Sequence, residues 1–151
     1  MKVVLQRVTE ASVHVEGNQI AKINKGFLLL WGVEKGDKEE DAIALSNKIS
    51  NLRVFSDKVN KMNLSILDIN GGVLVVSQFT LNANISKGNR PSFINSEDAL
   101  IAKRLIEVAV RNFLKKGISV ETGNFGSMMD VKLNNNGPVT FILNSKDSHV
   151  S

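Results

Sequence analysis

The sequence predicts a mixed α/β domain: a largely antiparallel sheet, curled into a partly closed β-barrel, with two helices packed outside it. Three observations predict this class. Seven short segments either alternate apolar and polar residues or run apolar throughout between turn signals, while only two stretches carry helical periodicity. Aromatic residues make up 5%, with no Tyr and one Trp, so the core is aliphatic and rich in the Val, Ile and Leu of buried strands. The 151 residues fit one domain over residues 1–145, followed by a polar tail, 146–151, with almost nothing to bury and expected to fray.

Taken in order, Ala11-Ser12-Val13-His14-Val15-Glu16 alternates apolar and polar residues, Gly17-Asn18 is a turn, and Gln19 to Ile23 returns as the second arm of a hairpin. Phe27 to Val33 and Val73 to Phe79 are continuous apolar runs, as expected of strands buried on both faces. Between them, Asp37-Lys38-Glu39-Glu40 resembles a capping box with Asp37 as the cap, and Ala42, Leu45, Ile49 and Leu52 share one helical face. A second helix spans about Ser96 to Lys116, with Ser96 as its cap, Glu97-Asp98 at its positive end and Lys115-Lys116-Gly117 at its close. Its expected buried stripe is Ile101, Leu105, Val108 and Phe113. Residues 119–122, 130–133 and 138–143 complete the strands.

Composition narrows the chemistry. The absence of Cys removes thiol nucleophiles, disulfides and thiolate metal sites. Only His14 and His149 occur, so a histidine-based triad or metal site would have to use His14. Lys and Arg outnumber Asp and Glu by 19 to 15, a net charge of +4 that permits a polyanionic partner without demanding one. The N-terminus carries no charged leader ahead of an apolar stretch, and the longest apolar run, Phe27 to Trp31, is far too short to cross a bilayer. The expectation is a cytoplasmic protein without membrane association. No phosphate-binding glycine loop, metalloprotease helix or nucleophile elbow is present, and Gly123-Asn124-Phe125-Gly126 reads as a turn.

Three polar stretches sit where strands end. Ser77-Gln78-Phe79-Thr80-Leu81 closes an apolar strand. It is either a strand leaving the core and satisfying its own hydroxyls, or the mouth of a pocket furnished with hydroxyl, amide and backbone N–H groups. Lys87-Gly88-Asn89-Arg90-Pro91-Ser92-Phe93 is either a solvated loop or a phosphate contact in which Lys87 and Arg90 supply charge. Asn134 to Thr140 contains Gly137-Pro138, on local grounds an ordinary turn.

Together with Gly126 to Val131 and the opening Met1 to Val8, these stretches, in this order and spacing, resemble the D-aminoacyl-tRNA deacylase family over residues 1 to about 145. The resemblance implies hydrolysis of the ester that joins a D-amino acid to the 3′-terminal adenosine of tRNA, with no metal and no cofactor. An aminoacyl ester is already activated, so a positioned water and oxyanion donors suffice. The resemblance assigns the catalytic motif to Ser77, Gln78, Phe79 and Thr80, with backbone N–H groups of Phe79 and Thr80 nearest the reaction and the substrate's own 2′-hydroxyl helping to activate the water. Thr80 as a nucleophile would need a neighbouring base. The resemblance further implies a homodimer in which a Gly137-cis-Pro138 dipeptide enters the partner subunit's site. There its carbonyls leave no volume for an L side chain, and glycyl-tRNA, having none, would pass as a substrate. Arg7 matches the residue that braces this dipeptide, and Phe125 and Met129 match positions lining the adenosine side. Asn82 departs from a frequent aromatic and Ser127 from a common alanine. Two other readings fit parts of the pattern: an RNA-binding module without turnover, and a small-ester hydrolase unrelated to tRNA.

Overall fold

The computed structural model describes all residues, 1–151. The chain forms strand β1 (Lys2–Val15), β2 (Asn18–Ile23), β3 (Gly26–Gly32), helix α1 (Glu39–Asn51), a small hairpin of β4 (Phe55–Ser56) and β5 (Met62–Leu64), and then β6 (Gly72–Ser77). A 3₁₀ turn (Phe79–Asn82), helix α2 (Ala99–Lys115), β7 (Ser119–Thr122), β8 (Asp130–Lys146) and β9 (His149–Val150) follow. The main sheet runs β7-β6-β3-β1-β8-β9, with β2 paired to β1 beside that path. Strand β1 is antiparallel to β2, β3 and β8, whereas β3, β6 and β7 are mutually parallel. The mixed class with two outer helices is as expected, and the sheet curls into a half-barrel.

Both faces of the sheet are covered. Trp31, Phe27, Leu29, Val73 and Val75 pack with Leu45, Ile49, Leu105, Ala109 and Phe113 of the helices. Val8, Val13, Leu28, Leu74 and Val76 meet Ala21 and Ile23 inside the curl. Burial on both sides is why β3 and β6 read as unbroken apolar runs.

Several local expectations shift. Residues 2–8, which lie ahead of the first expected strand, are the first half of β1, with every second residue (Val3, Leu5) buried against the helices. The hairpin turn falls one residue earlier than Gly17-Asn18: Val15 pairs with Asn18, leaving Glu16-Gly17 at the tip. Helix α1 starts after Lys38, whose N–H donates to Asp41 Oδ2 (3.0 Å). Asp37 instead receives the Met1 ammonium at 2.8 Å and the Glu34 N–H at 2.7 Å. Helix α2 is capped by Asp98, which accepts from Leu100 N at 2.9 Å, and not by Ser96. Ile101 faces outward, and Ile106 and Ala109 fill the stripe in its place.

The two expected strands 130–133 and 138–143 are one strand, β8. Its pairing with β1 skips from Asn135 to Thr140 while β1 advances only from Val8 to Gln6, so residues 136–139 bulge out opposite Arg7. The tail does not fray: Asn144 and Ser151 exchange backbone hydrogen bonds (2.8 and 2.9 Å), and Ser148 N donates to Asp41 Oδ1 at 2.9 Å. Burial works against the Asp41 carboxylate, but donation from Ser145 Oγ, Ser148 N and Lys38 N, with the nearby Met1 ammonium, holds its pKa below the ordinary carboxylate value.

Candidate active site

The parallel strands β3, β6 and β7 end together, and the chain beyond their carboxyl ends encloses three adjoining clefts. This is where open sheets with parallel strands place ligands. Ser77, the last residue of β6, lines all three. A largely apolar cleft of about 290 Å³ lies toward α2, walled by Trp31, Phe79, Ala102, Ile106 and Phe125. A cleft of about 450 Å³ lies toward β8, walled by Gln78, Phe79, Thr80, Met129 and Val131. Phe79 and Gly126 belong to both and form the ridge between them.

The apolar run does not continue through Phe79 as strand. Gln78 N makes the last ladder bond, to Trp31 O at 2.9 Å, and the backbone then tightens into the 3₁₀ turn. As its opening donors, the Phe79 and Thr80 N–H groups have no partner within the turn. The Thr80 hydroxyl accepts from Gln78 Nε2 and has no carboxylate or imidazole hydrogen-bonded to it. The acidic side chain in the cleft toward α2 is Glu97, which the sequence offers only as helix-end charge; both its oxygens accept backbone N–H groups, from Asp98 (2.9 Å) and Gly36 (3.3 Å). Asn82 is buried and donates to Val33 O at 2.6 Å, so it anchors the turn to the end of β3.

Phe125 and Met129 both border this region but not the same cleft. Phe125 faces α2, whereas Met129 sits on the β8 side with its Sδ 2.8 Å from where a Cβ at Gly123 would begin. Only glycine at 123 permits that approach without displacing Met129.

Gly137 and Pro138 are elsewhere. Their peptide bond is cis, and both residues are exposed on the β8 bulge. Arg7 is buried beneath it, with Nε donating to Asn136 O at 3.0 Å and Nη1 donating to Val54 O. The Asn135 side chain closes the bulge from its own strand: Oδ1 accepts from Val139 N (3.0 Å) and Nδ2 donates to Thr140 Oγ1 (2.9 Å). Sequence reasoning missed Asn135, although an Asn shortly before a Gly-Pro pair is a residue type that bonds its own backbone. Neither Gly137 nor Pro138 lines any cleft that Ser77 lines. From the Ser77 end of β6 the sheet crosses β3 and β1 before it reaches the bulge on β8. Within one chain the two groups of expected site residues therefore do not meet.

Comparison with known proteins agrees with this architecture. The family model for D-Tyr-tRNA(Tyr) deacylase matches residues 4–144. Proteins named D-aminoacyl-tRNA deacylase from Aquifex aeolicus and Thermosipho melanesiensis are 50% and 52% identical over 147 residues, 97% of this chain and 99% and 98% of theirs. A solved structure described as c-Myc DNA Unwinding Element Binding Protein superposes with a TM-score of 0.90 at 38% identity, covering 97% of this chain and 99% of that one. A second, described as a probable eukaryotic D-amino acid tRNA deacylase, shares the fold at a TM-score of 0.78 and 14% identity, covering 93% and 97%. A family match across nearly every element, with half the residues shared with named members from end to end, means that this chain belongs to the D-Tyr-tRNA(Tyr) deacylase family.

Proposed function

We propose that the protein is a D-aminoacyl-tRNA deacylase: it hydrolyses the ester between a D-amino acid and the 3′-terminal adenosine of tRNA, in the cytoplasm, as a homodimer. Within that dimer, Gly137-Pro138 of one subunit faces the Ser77–Thr80 cleft of the other. The observation that carries the composite site is the separation of the two motifs across the sheet. Residues that must share one substrate line no common cleft among those at Ser77 in one chain, with β3 and β1 between their strands, and the bulge that carries Gly137 and Pro138 is exposed. A two-fold axis brings such patches together reciprocally, giving two equal sites.

The chemistry asks little of the side chains. Phe79 and Thr80 N–H groups stabilise the oxyanion as water adds to the ester carbonyl, and the terminal ribose's 2′-hydroxyl orients that water. Thr80 positions; its hydroxyl is engaged by Gln78 and lacks a base. Phe125 and Met129 hold the adenosine side. Arg7 and Asn135 fix the bulge, whose carbonyls occupy the volume an L side chain would need, so chirality is judged by exclusion. Glycine offers nothing to exclude, and glycyl-tRNA is a substrate on this reading.

Deacylation of matched D- and L-tyrosyl-tRNA by the purified, chelator-treated protein tests the proposal. Hydrolysis of the D ester alone is expected. Equal hydrolysis of both would refute chiral selection, and tRNA binding without turnover would leave a nucleic-acid-binding protein, the reading that the net charge of +4 would also suit.

A further inference from the structure

Two aromatic side chains beside the site take no part in that reaction. Phe79, on the ridge between the clefts, is 58% exposed, and Phe93 beside it is 39% exposed. Their rings are held edge to face, 4.9 Å between centroids at 69°. Two large aromatic faces open to water at the lip of a cleft are costly unless something covers them. The segment that delivers Phe93 is built: Asn84 and Ser92 exchange backbone hydrogen bonds (2.8 and 2.9 Å), and Asn84 Oδ1 accepts from Ser86 N at 2.9 Å. At its tip stand Lys87 and Arg90, both exposed, and neither has a carboxylate within ion-pair distance.

We infer that this rim is the subsite for the single-stranded nucleotides that precede the terminal adenosine of tRNA, with a base stacked on the Phe79–Phe93 pair and backbone phosphates against Lys87 and Arg90. The inference rests on the deacylase reading and extends it from the ester to the strand that carries it. Aromatic faces beside unpaired cations are the combination that binds single-stranded nucleic acid without reading its sequence, because every base has a π-face and every nucleotide a phosphate. The position supports the same occupant: a strand entering the clefts that Phe79 separates must pass its ring. Such a subsite serves every tRNA alike, because it grips the strand without reading the base.

The test compares two substrates, D-tyrosyl-tRNA and the D-tyrosyl ester of adenosine alone. Phe93→Ala is expected to raise KM for the tRNA about tenfold or more, the usual loss when a stacking ring is removed, with kcat and hydrolysis of the adenosine ester unchanged. Phe93→Leu, which keeps bulk but has no π-face, is expected to share the rise in KM while melting as the wild type does. Replacing Lys87 and Arg90 by Ala is expected to flatten the salt dependence of KM by about 0.7 in the log–log slope for each phosphate that the rim no longer holds. Equal slowing of both substrates would mean that Phe93 merely supports Phe79, and no change on either would leave the rim without this role. Each result overturns the inference. If the wild type hydrolyses neither substrate, the deacylase reading fails by itself. Binding of uncharged tRNA then decides the rim: about tenfold weaker binding by Phe93→Ala supports it, and unchanged binding refutes it.

Discussion

Replacing Gly137 by Ala adds one methyl group at the tip of the β8 bulge. Its Cβ would lie 2.7 Å from Val139 Cγ2 and 3.0 Å from Arg7 Nη2, at a φ of +133° that L residues rarely adopt. The neighbours do not yield easily. Val139 is buried and β-branched, which restricts its rotamers, and Arg7 is tied to two carbonyls, Val54 O and Asn136 O. The backbone conformation costs about 1–3 kcal/mol and the overpacking about as much again. The total, about 2–6 kcal/mol, lies below most of the ~5–15 kcal/mol range of domain stabilities, so the variant is expected to stay folded with a Tm lower by roughly 5–20 °C. Part of the strain is relieved by moving the bulge, and a displacement of about 1 Å in a positioning group costs about 10²-fold in rate. Single-turnover deacylation of D-tyrosyl-tRNA, read beside a thermal melt, measures both effects. A variant that melts lower but hydrolyses D-tyrosyl-tRNA at the wild-type rate would refute the assignment of the bulge to the site.

Two further predictions rest on the 3₁₀ turn and on Asp41. Thr80→Ala is expected to keep substantial turnover, because the hydroxyl only positions, whereas Thr80→Pro, which removes the N–H, is expected to lose about 10²–10³ in kcat; the reverse ranking in steady-state assays would restore Thr80 as a nucleophile. Because the pKa of Asp41 is depressed on folding, the unfolded chain takes up its proton first. Its contribution to stability is therefore present above the ordinary carboxylate pKa, ~4, and is lost as pH falls through the lower folded value. Melting curves from pH 7 to pH 2 should show Asp41→Asn less stable at neutral pH and flatter in acid than the wild type. An identical acid slope in the variant would show that another carboxylate carries the transition.

Much of the fold is legible because burial imposes a period. The runs of β3 and β6 and the face Ala42, Leu45 and Ile49 of α1 follow directly from which sides are covered. What the sequence conceals are places where tertiary contacts outvote local signals. Asp37 is a good cap by type, but the Met1 ammonium claims its carboxylate, and Asp41 closes the helix start instead. Asn134-Asn135-Asn136 carries turn residues, yet β1 supplies a ladder on both sides of them and keeps β8 continuous. The polar tail is held by Asp41, which is remote in sequence, as well as by turning back on the end of β8. For the site, residue type alone leaves Ser77–Thr80 open between a strand end and a pocket mouth and makes Gly137-Pro138 an ordinary turn, and it is the family resemblance that singles both out. Their separation is not legible, because it depends on sheet order: β6 and β8 stand with β3 and β1 between them.

That separation makes the composite site the claim most worth testing. A heterodimer built from one Gly137→Ala subunit and one Thr80→Pro subunit, purified through two different C-terminal tags, measures it directly. If each site joins the turn of one subunit to the bulge of the other, one of the two sites in the heterodimer is intact, and D-tyrosyl-tRNA turnover is about half that of the wild-type dimer although both parent homodimers are nearly inactive. If each subunit completes its own site, both sites in the heterodimer are damaged, and turnover no higher than that of the parents would contradict the account.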